Sequence, residues 1–384
     1  MLIFHIIACS VFFFMLMIVS FDFIYSLFFI LQRYHIGRWD SNTKWKNAVE
    51  NICFKWIENT PNVRPTDRRG YIFWEILKGK NKNSTIQSWQ MAGIMLGICS
   101  LNSKKAQYYL SNWKSRYLNN AGEWKIKPQK VDSALLAYAM LQCYNRDEIK
   151  PSMDYVISII ESNLCSDGMI SYSQGRNSKI RFVDTLGMVC PFLALYGTIY
   201  NKPYYIELAY EQIIQYRKVG MLEKTELPCH AINVENNLPL GVYGWGRGTG
   251  WYILALIETY KSISDYEKKC ELKKIIQMAA EQYDRYQQED GGFQTILQGG
   301  GQYDSTITIL MAYFYKVCYG IFKNKNYLNI AAQAINKIKT VTMRNGSVDR
   351  CQGDTHGIGV FSQDFDIMPF AQGILLLAVN MKEE

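Results

Sequence analysis

Several residues able to do chemistry stand at comparable places in this chain, each where an apolar run begins. Asp132 opens VDSALLAYAML and Asp184 opens FVDTLGMVCPFLALYG. Trp245, Arg247 and Trp251 lead into GWYILALIETY, and Asp304, Ser305 and Thr306 lead into TILMAYFYKVCYG. Two carboxyl groups can share acid and base work. A guanidinium grips a carboxylate in a planar fork, and indole faces stack on sugar rings. A single aspartate in such a place is a helix cap. Two of them, with an arginine and two tryptophans at one end of one body, suit chemistry on a sugar. Ser305 adds a hydroxyl at the same end.

The stretch GWGRGTG (244–250) allows other readings. Glycines before a helix can aim backbone N–H groups at a phosphate. The spacing is neither G-x-G-x-x-G nor G-x-x-x-x-G-K-[ST], and no clear strand precedes it, which argues against a nucleotide site. A purely structural turn is the second reading. The third is a sugar platform, in which the glycines leave room for a ring, Trp245 and Trp251 wall it, and Arg247 clamps it.

Positioning these residues requires a repeating scaffold. Six apolar, small-residue-rich runs begin near Trp89, Val131, Phe182, Gly250, Asp304 and Met368. Between them lie amphipathic segments such as 103–118, 153–164, 204–218, 267–286 and 326–340, with apolar i, i+3, i+4 spacing. A helix apolar nearly all round belongs inside, and one with a charged face belongs outside. Six inner helices alternating with about six outer ones predict an all-α fold, an (α/α)6 barrel or six-hairpin toroid. Asn-Gly or Asp-Gly turns at 167–168, 290–291 and 345–346, and N-A-G at 120–122, follow outer helices. They bring the loops to the end where inner helices start, and a bowl there is the expected ligand site.

Composition narrows the function classes. The chain has 384 residues, 48% hydrophobic and 14% aromatic, with 27 Tyr and 9 Trp, enough for a large core. Net charge is +8, but Lys and Arg are scattered, so no nucleic-acid footprint is indicated. Ten cysteines without C-x-x-C favour a reducing compartment. Four histidines without metal-binding spacing predict no metal and no cofactor.

Residues 2–31 are apolar apart from His5 and Asp22, long enough for the roughly 20-residue span a bilayer needs. No Lys or Arg precedes them, whereas Arg33, Arg38, Lys44 and Lys46 follow. The positive-inside rule then predicts a single anchor over 1–32, a linker over 33–40, and a cytoplasmic barrel over 41–384; the alternative is an uncleaved or atypical export signal with an extracytoplasmic body. Asp22 is costly in a bilayer and marks a span end or a packed partner.

WGRGTGW (245–251), FVDTLGMVCPFLALYG (182–197), VDSALLAYAML (131–141) and HGIGVFSQDFDIMPFAQGILLLA (356–378) together resemble the unsaturated glucuronyl and rhamnogalacturonyl hydrolases of glycoside hydrolase families 88 and 105. The resemblance runs in order over roughly residues 85–380. It implies an (α/α)6 barrel acting on oligosaccharides with a terminal unsaturated uronic acid, by hydration of its C4=C5 vinyl ether. It implies Asp184 as general acid/base, Asp132 as the second carboxyl, and Arg247, Trp245 and Trp251 as substrate contacts. His230 stands roughly where the family has a substrate-contacting histidine, and His356 belongs to the turn or the cleft rim. Two other readings share the barrel: a glycan-processing protein without this activity, and a membrane-bound scaffold.

Overall fold

The computed structural model describes residues 1–63, 72–78, 87–173 and 179–382. Among these, six apolar helices form the inner wall: α4 (Ser88–Cys99), α6 (Ser133–Cys143), α8 (Val183–Ile199), α10 (Gly246–Ser262), α12 (Ser305–Phe322) and α14 (Pro369–Asn380). Each packs on the next, and α14 packs back on α4, so the ring closes. α6 shows why such a run goes inside. Its 11 residues carry no charge, and Ser133 to Leu141 are all buried.

The outer helices are α2 (Asn42–Glu58), α5 (Lys104–Tyr117), α7 (Lys150–Ser162), α9 (Pro203–Gly220), α11 (Tyr266–Tyr283) and α13 (Lys325–Thr340). On α13 the buried residues are Tyr327, Ile330, Ala331, Ala334 and Ile338, one stripe at helical spacing, while lysines face out. Side-chain caps set several starts: Ser103 accepts from Ala106 N–H, and Asp265 accepts from Lys268 N–H. The sixth outer helix is α2, which packs on α4, α5 and α14 and completes the count from the amino-terminal side.

The ring closes backbone to backbone. A Cβ on Gly373 would lie 1.9 Å from the Gly93 carbonyl oxygen, and one on Gly97 would lie 2.4 Å from the Gly373 oxygen. Any side chain there wedges α14 off α4.

The barrel is not purely helical. The loops at the end where inner helices begin carry five short strands, which run patterns of three residues or fewer could not predict. β1 (Ile180–Phe182), β2 (Ala231–Asn233) and β3 (Leu238–Leu240) form an antiparallel sheet in the order β1-β2-β3. β4 (Cys351–Gln352) pairs with β5 (Phe365–Asp366) as a second, two-stranded piece. These pairings align the loops over the ring.

The amino-terminal α1 (Leu2–Arg33) is long and apolar enough to cross a membrane, and Ile18 is its one buried residue. The stretch 33–40 is not the free linker its composition suggests. Arg33 donates to both carboxylate oxygens of Asp349, at 2.6 and 2.8 Å, and to Asp366 at 3.0 Å. Gly37 N–H and the Trp39 indole both donate to the Thr342 carbonyl. Asp22, costly if alone in lipid, accepts from Phe73 N–H in the short helix α3 (Ile72–Leu77).

Gly373→Ala is expected to destabilise the barrel by about 2 kcal/mol or more through backbone overpacking at the seam. Denaturant unfolding checks it, and unchanged stability would contradict a closed α4–α14 contact.

Candidate active site

Strand pairing builds the site. Phe182 is opposite Ala231, and Val183 N–H donates to the His230 carbonyl, so the ladder runs on into the first turn of α8. This puts His230 beside Asp184, with His230 Nε2 3.6 Å from Asp184 Oδ2. Ala231 is in turn opposite Leu240, which leads to the α10 turn. Gly359 N–H donates to His230 Nδ1 at 3.2 Å. That bond assigns the ring's proton to Nε2, the nitrogen facing Asp184.

Arg247 is fixed from the other side. Its Nη1 donates to the carbonyls of Gln352 and Gly353, at 2.9 and 2.8 Å, and its guanidinium lies 5.0 Å from the Trp245 ring. Nη2 is 3.6 Å from Asp354 Oδ1. Asp354 also accepts from the Gln87 side-chain amide and from Thr355 N–H, so one carboxylate ties the start of α4 to the β4–β5 connection.

Between these elements lies a cleft of about 440 Å³. Asp184, His230, Arg247 and Trp251 line it, with Trp89, Tyr172 and Asp354. Trp89 and Trp251 meet edge to face at 5.5 Å, and both rest on Phe370. The Asp184 side chain is 18% exposed, yet its Oδ2 is buried and has no hydrogen-bond partner. Burial pushes the carboxyl up to about 6, against the pull of Arg247 and with a further push from Asp354. The Trp251 indole N–H lies near enough to favour the charged form, but without hydrogen-bond geometry. Burial, aided by Arg247, lowers His230 to about 4, so the ring is neutral near pH 7 and presents an N–H donor.

The model for Glycosyl Hydrolase Family 88 matches residues 75–381, which include every residue lining this cleft. The chain belongs to glycosyl hydrolase family 88. It is a glycoside hydrolase, as the sequence resemblance implied. Solved structures share the six-hairpin fold at low identity. A possible member of the GH105 family from Salmonella enterica has a TM-score of 0.73 at 14% identity, covering 89% of this chain and 94% of that one. An unsaturated glucuronyl hydrolase responsible for glycosaminoglycan degradation, from Bacillus sp. GL1, has a TM-score of 0.61 at 14% identity, covering 88% and 94%. A family 88 glycosyl hydrolase from Bacteroides vulgatus has a TM-score of 0.59 at 17% identity, covering 80% and 97%. No curated protein matches the sequence significantly.

In this family 88 chain the expected residues do not all reach the cleft. Trp245 stands outside the cleft lining, stacked on Phe361 at 4.7 Å, and donates its indole N–H to Gln352. It supports His230 and Arg247 from behind. Ser305 is fully buried, stands outside the cleft lining and donates to the Asp349 carbonyl, so it fastens a loop. The glycines of 244–250 leave room for the protein's own side chains. A Cβ on Gly250 would meet Leu310 at 2.3 Å, and one on Gly248 would meet the Trp245 ring at 2.7 Å. Asp132 is 4% exposed and stands outside the lining, close to the backbone of Ser88 and Ser133. Burial pushes it up to about 6 as well. Tyr172 lies within electrostatic reach of Asp132, Asp184 and Asp354, and Asp354 in turn pushes both Asp132 and Asp184 upward.

His356 lies on the exposed rim of the cleft. Asp354, Gln87 and Tyr172 went unseen. Asp354 alone had a sequence signal, since Gly353 and Asp354 stand one residue short of the HGIG turn, separated from it by Thr355.

Proposed function

We propose that this family 88 enzyme hydrolyses oligosaccharides ending in a 4,5-unsaturated uronic acid. The observation that carries the reading is the Asp184 carboxyl: buried, raised to about 6, without a hydrogen-bond partner on Oδ2, and facing a cleft with Arg247 and a neutral His230. Such a group is half protonated near pH 6, where an ordinary aspartate is fully ionised, and so can donate a proton under mildly acidic to near-neutral conditions.

The chemistry balances without an external reductant or oxidant. Asp184 gives its proton to C4 of the vinyl ether, and positive charge develops at C5 and the ring oxygen. The Asp184 carboxylate then takes a proton from water as the water oxygen bonds to C5. The resulting hemiketal opens at the bond between C5 and the ring oxygen, leaving a ketone at C5 and a hemiacetal at C1; the hemiacetal collapses to an aldehyde, and the neighbouring sugar leaves with a proton on the glycosidic oxygen. The His230 Nε2–H is placed to donate to a substrate oxygen beside Asp184. Arg247, immobilised by two carbonyls, orients the uronic carboxylate, and Trp89 and Trp251 wall the ring. Asp132 supplies a second raised carboxyl next to Tyr172, and its charge state tunes the pair.

A second reading keeps the barrel and cleft and takes a different glycan. Asp354 favours it, because that carboxylate already faces the Arg247 nitrogen that a uronic carboxylate would use. A panel of lyase-generated oligosaccharides against saturated ones separates the two readings.

We also propose that α1 anchors the enzyme with the barrel in the cytoplasm. Arg33, Arg38, Lys44 and Lys46 support this side, as do ten cysteines that are all free thiols. A carboxyl-terminal reporter is expected to work in the cytoplasm; one active only outside it would contradict this.

Asp184→Asn is expected to lower kcat by about 10²–10⁴-fold, the usual weight of general acid–base catalysis. Loss of the near-ultraviolet band of an unsaturated uronide reports the rate. Donation needs the protonated form, so wild-type kcat/KM is expected to level off below about pH 6 and to fall about tenfold per unit above it. An active Asp184→Asn variant, or a profile flat to pH 8, would contradict the assignment.

A further inference from the structure

The anchor helix and the cleft share one end of the barrel. α1 does not end in a flexible tether: Arg33 is clasped by Asp349, just before β4, and by Asp366 in β5. A second attachment lies 11 residues earlier, where Asp22 accepts from Phe73 N–H, and Phe14 and Phe21 meet the Phe73 ring edge to face. The Arg33 clasp ties the end of the helix to the barrel, and α3 packs against the helix about 16 Å further along. Both belong to connections that run from an outer helix to the next inner one, which is the cleft end.

Outside α1, the exposed apolar side chains in connections gather at this end. Trp74 and Leu77 on α3, Ile126, Leu222, Leu238, Val242 and Val360 are all exposed, and all lie in cleft-end connections. At the other end Tyr204 and Tyr266, in the first turns of α9 and α11, are exposed as well, but these rings carry hydroxyls. Val242 and Val360 flank Gly241 and Gly359, whose backbones touch at the mouth itself. Exposed Lys125, Lys127 and Lys130 surround Ile126, which is 84% exposed. Apolar tips interleaved with lysines on one face suit the boundary of a bilayer containing anionic lipid.

We propose that the rim of the cleft is a bilayer-contact surface, so that the mouth opens onto the headgroup layer and takes saccharide presented at the membrane. The proposal rests on the reading of α1 as an anchor. It adds the orientation of the barrel and the location of the substrate. Anchoring by a loose stalk would leave the cleft free to face away from the membrane, and the Arg33 clasp removes that freedom.

Site-specific photo-crosslinking on the full chain tests it, in vesicles of mixed zwitterionic and anionic phospholipid. A benzophenone amino acid replaces Phe12 in α1, Leu238 or Val360 on the rim, and Tyr204 or Tyr266 at the opposite end; all five side chains are exposed, so the fold is retained. The expected result is phospholipid adducts at Phe12, Leu238 and Val360, with loss of adduct at Tyr204 and Tyr266. Adducts at Phe12 without adducts on the rim would overturn the contact surface while leaving the anchor in place. Equal yields at both ends would overturn it too, and no adduct at Phe12 would remove the anchor and the proposal together.

Discussion

A carboxyl group withdrawn from water, with no hydrogen bond given to Oδ2 in exchange, is the constraint around which this molecule is arranged. Burying such a group disfavours its charged form, and the protein accepts that cost at Asp184. The rest of the cleft end keeps the cost from being relieved. Trp251 and Trp89 hold an apolar wall, and His230 is kept neutral by the same burial. Arg247 would lower Asp184 if it swung closer, but two carbonyls of the β4–β5 region hold it in place. A proton donor near neutral pH is the outcome of these restraints acting together.

The restraints trace back to packing in the ring. α10 can approach α12 and still carry Arg247 because glycines at 246, 248 and 250 make space for Ile307, Trp245 and Leu310. Trp245, one layer back, links His230 to Gln352 and so connects the small β1–β3 sheet to the β4–β5 pair. Arg33 braces that same pair from the anchor side. The catalytic end is therefore one connected structure, from the helix that leaves the barrel to the guanidinium that lines the cleft.

Much of this was legible in the sequence because burial constrains composition. A helix surrounded by neighbours carries few charges, and those it has need partners, so the six inner runs and their alternation with striped outer helices were visible, and the closed ring followed from their number. Asp184, Arg247 and Trp251 meet in space because each stands in the opening turns of an inner helix on the same end, and His230 joins them through the pairing of β1 with β2. What was hidden depended on side-chain direction and long-range pairing. A tryptophan at a helix start can face the cleft, as Trp251 does, or turn inward, as Trp245 does, and the sequence around each is alike. Ser305 turned inward to a carbonyl for the same reason. Asp354 reaches the cleft only because β4 pairs with β5 and Gln87 comes from far along the chain.

The central claim is that Asp184 delivers its proton to carbon and not to the glycosidic oxygen. Running the hydrolysis of an unsaturated uronide in D2O and locating deuterium in the released uronic product tests this most directly. One deuterium on a single face of C4 in the first-formed product is the predicted result. Deuterium spread over both faces of C4 from the outset would show cleavage at the anomeric centre followed by ketonisation in solution and contradict the account.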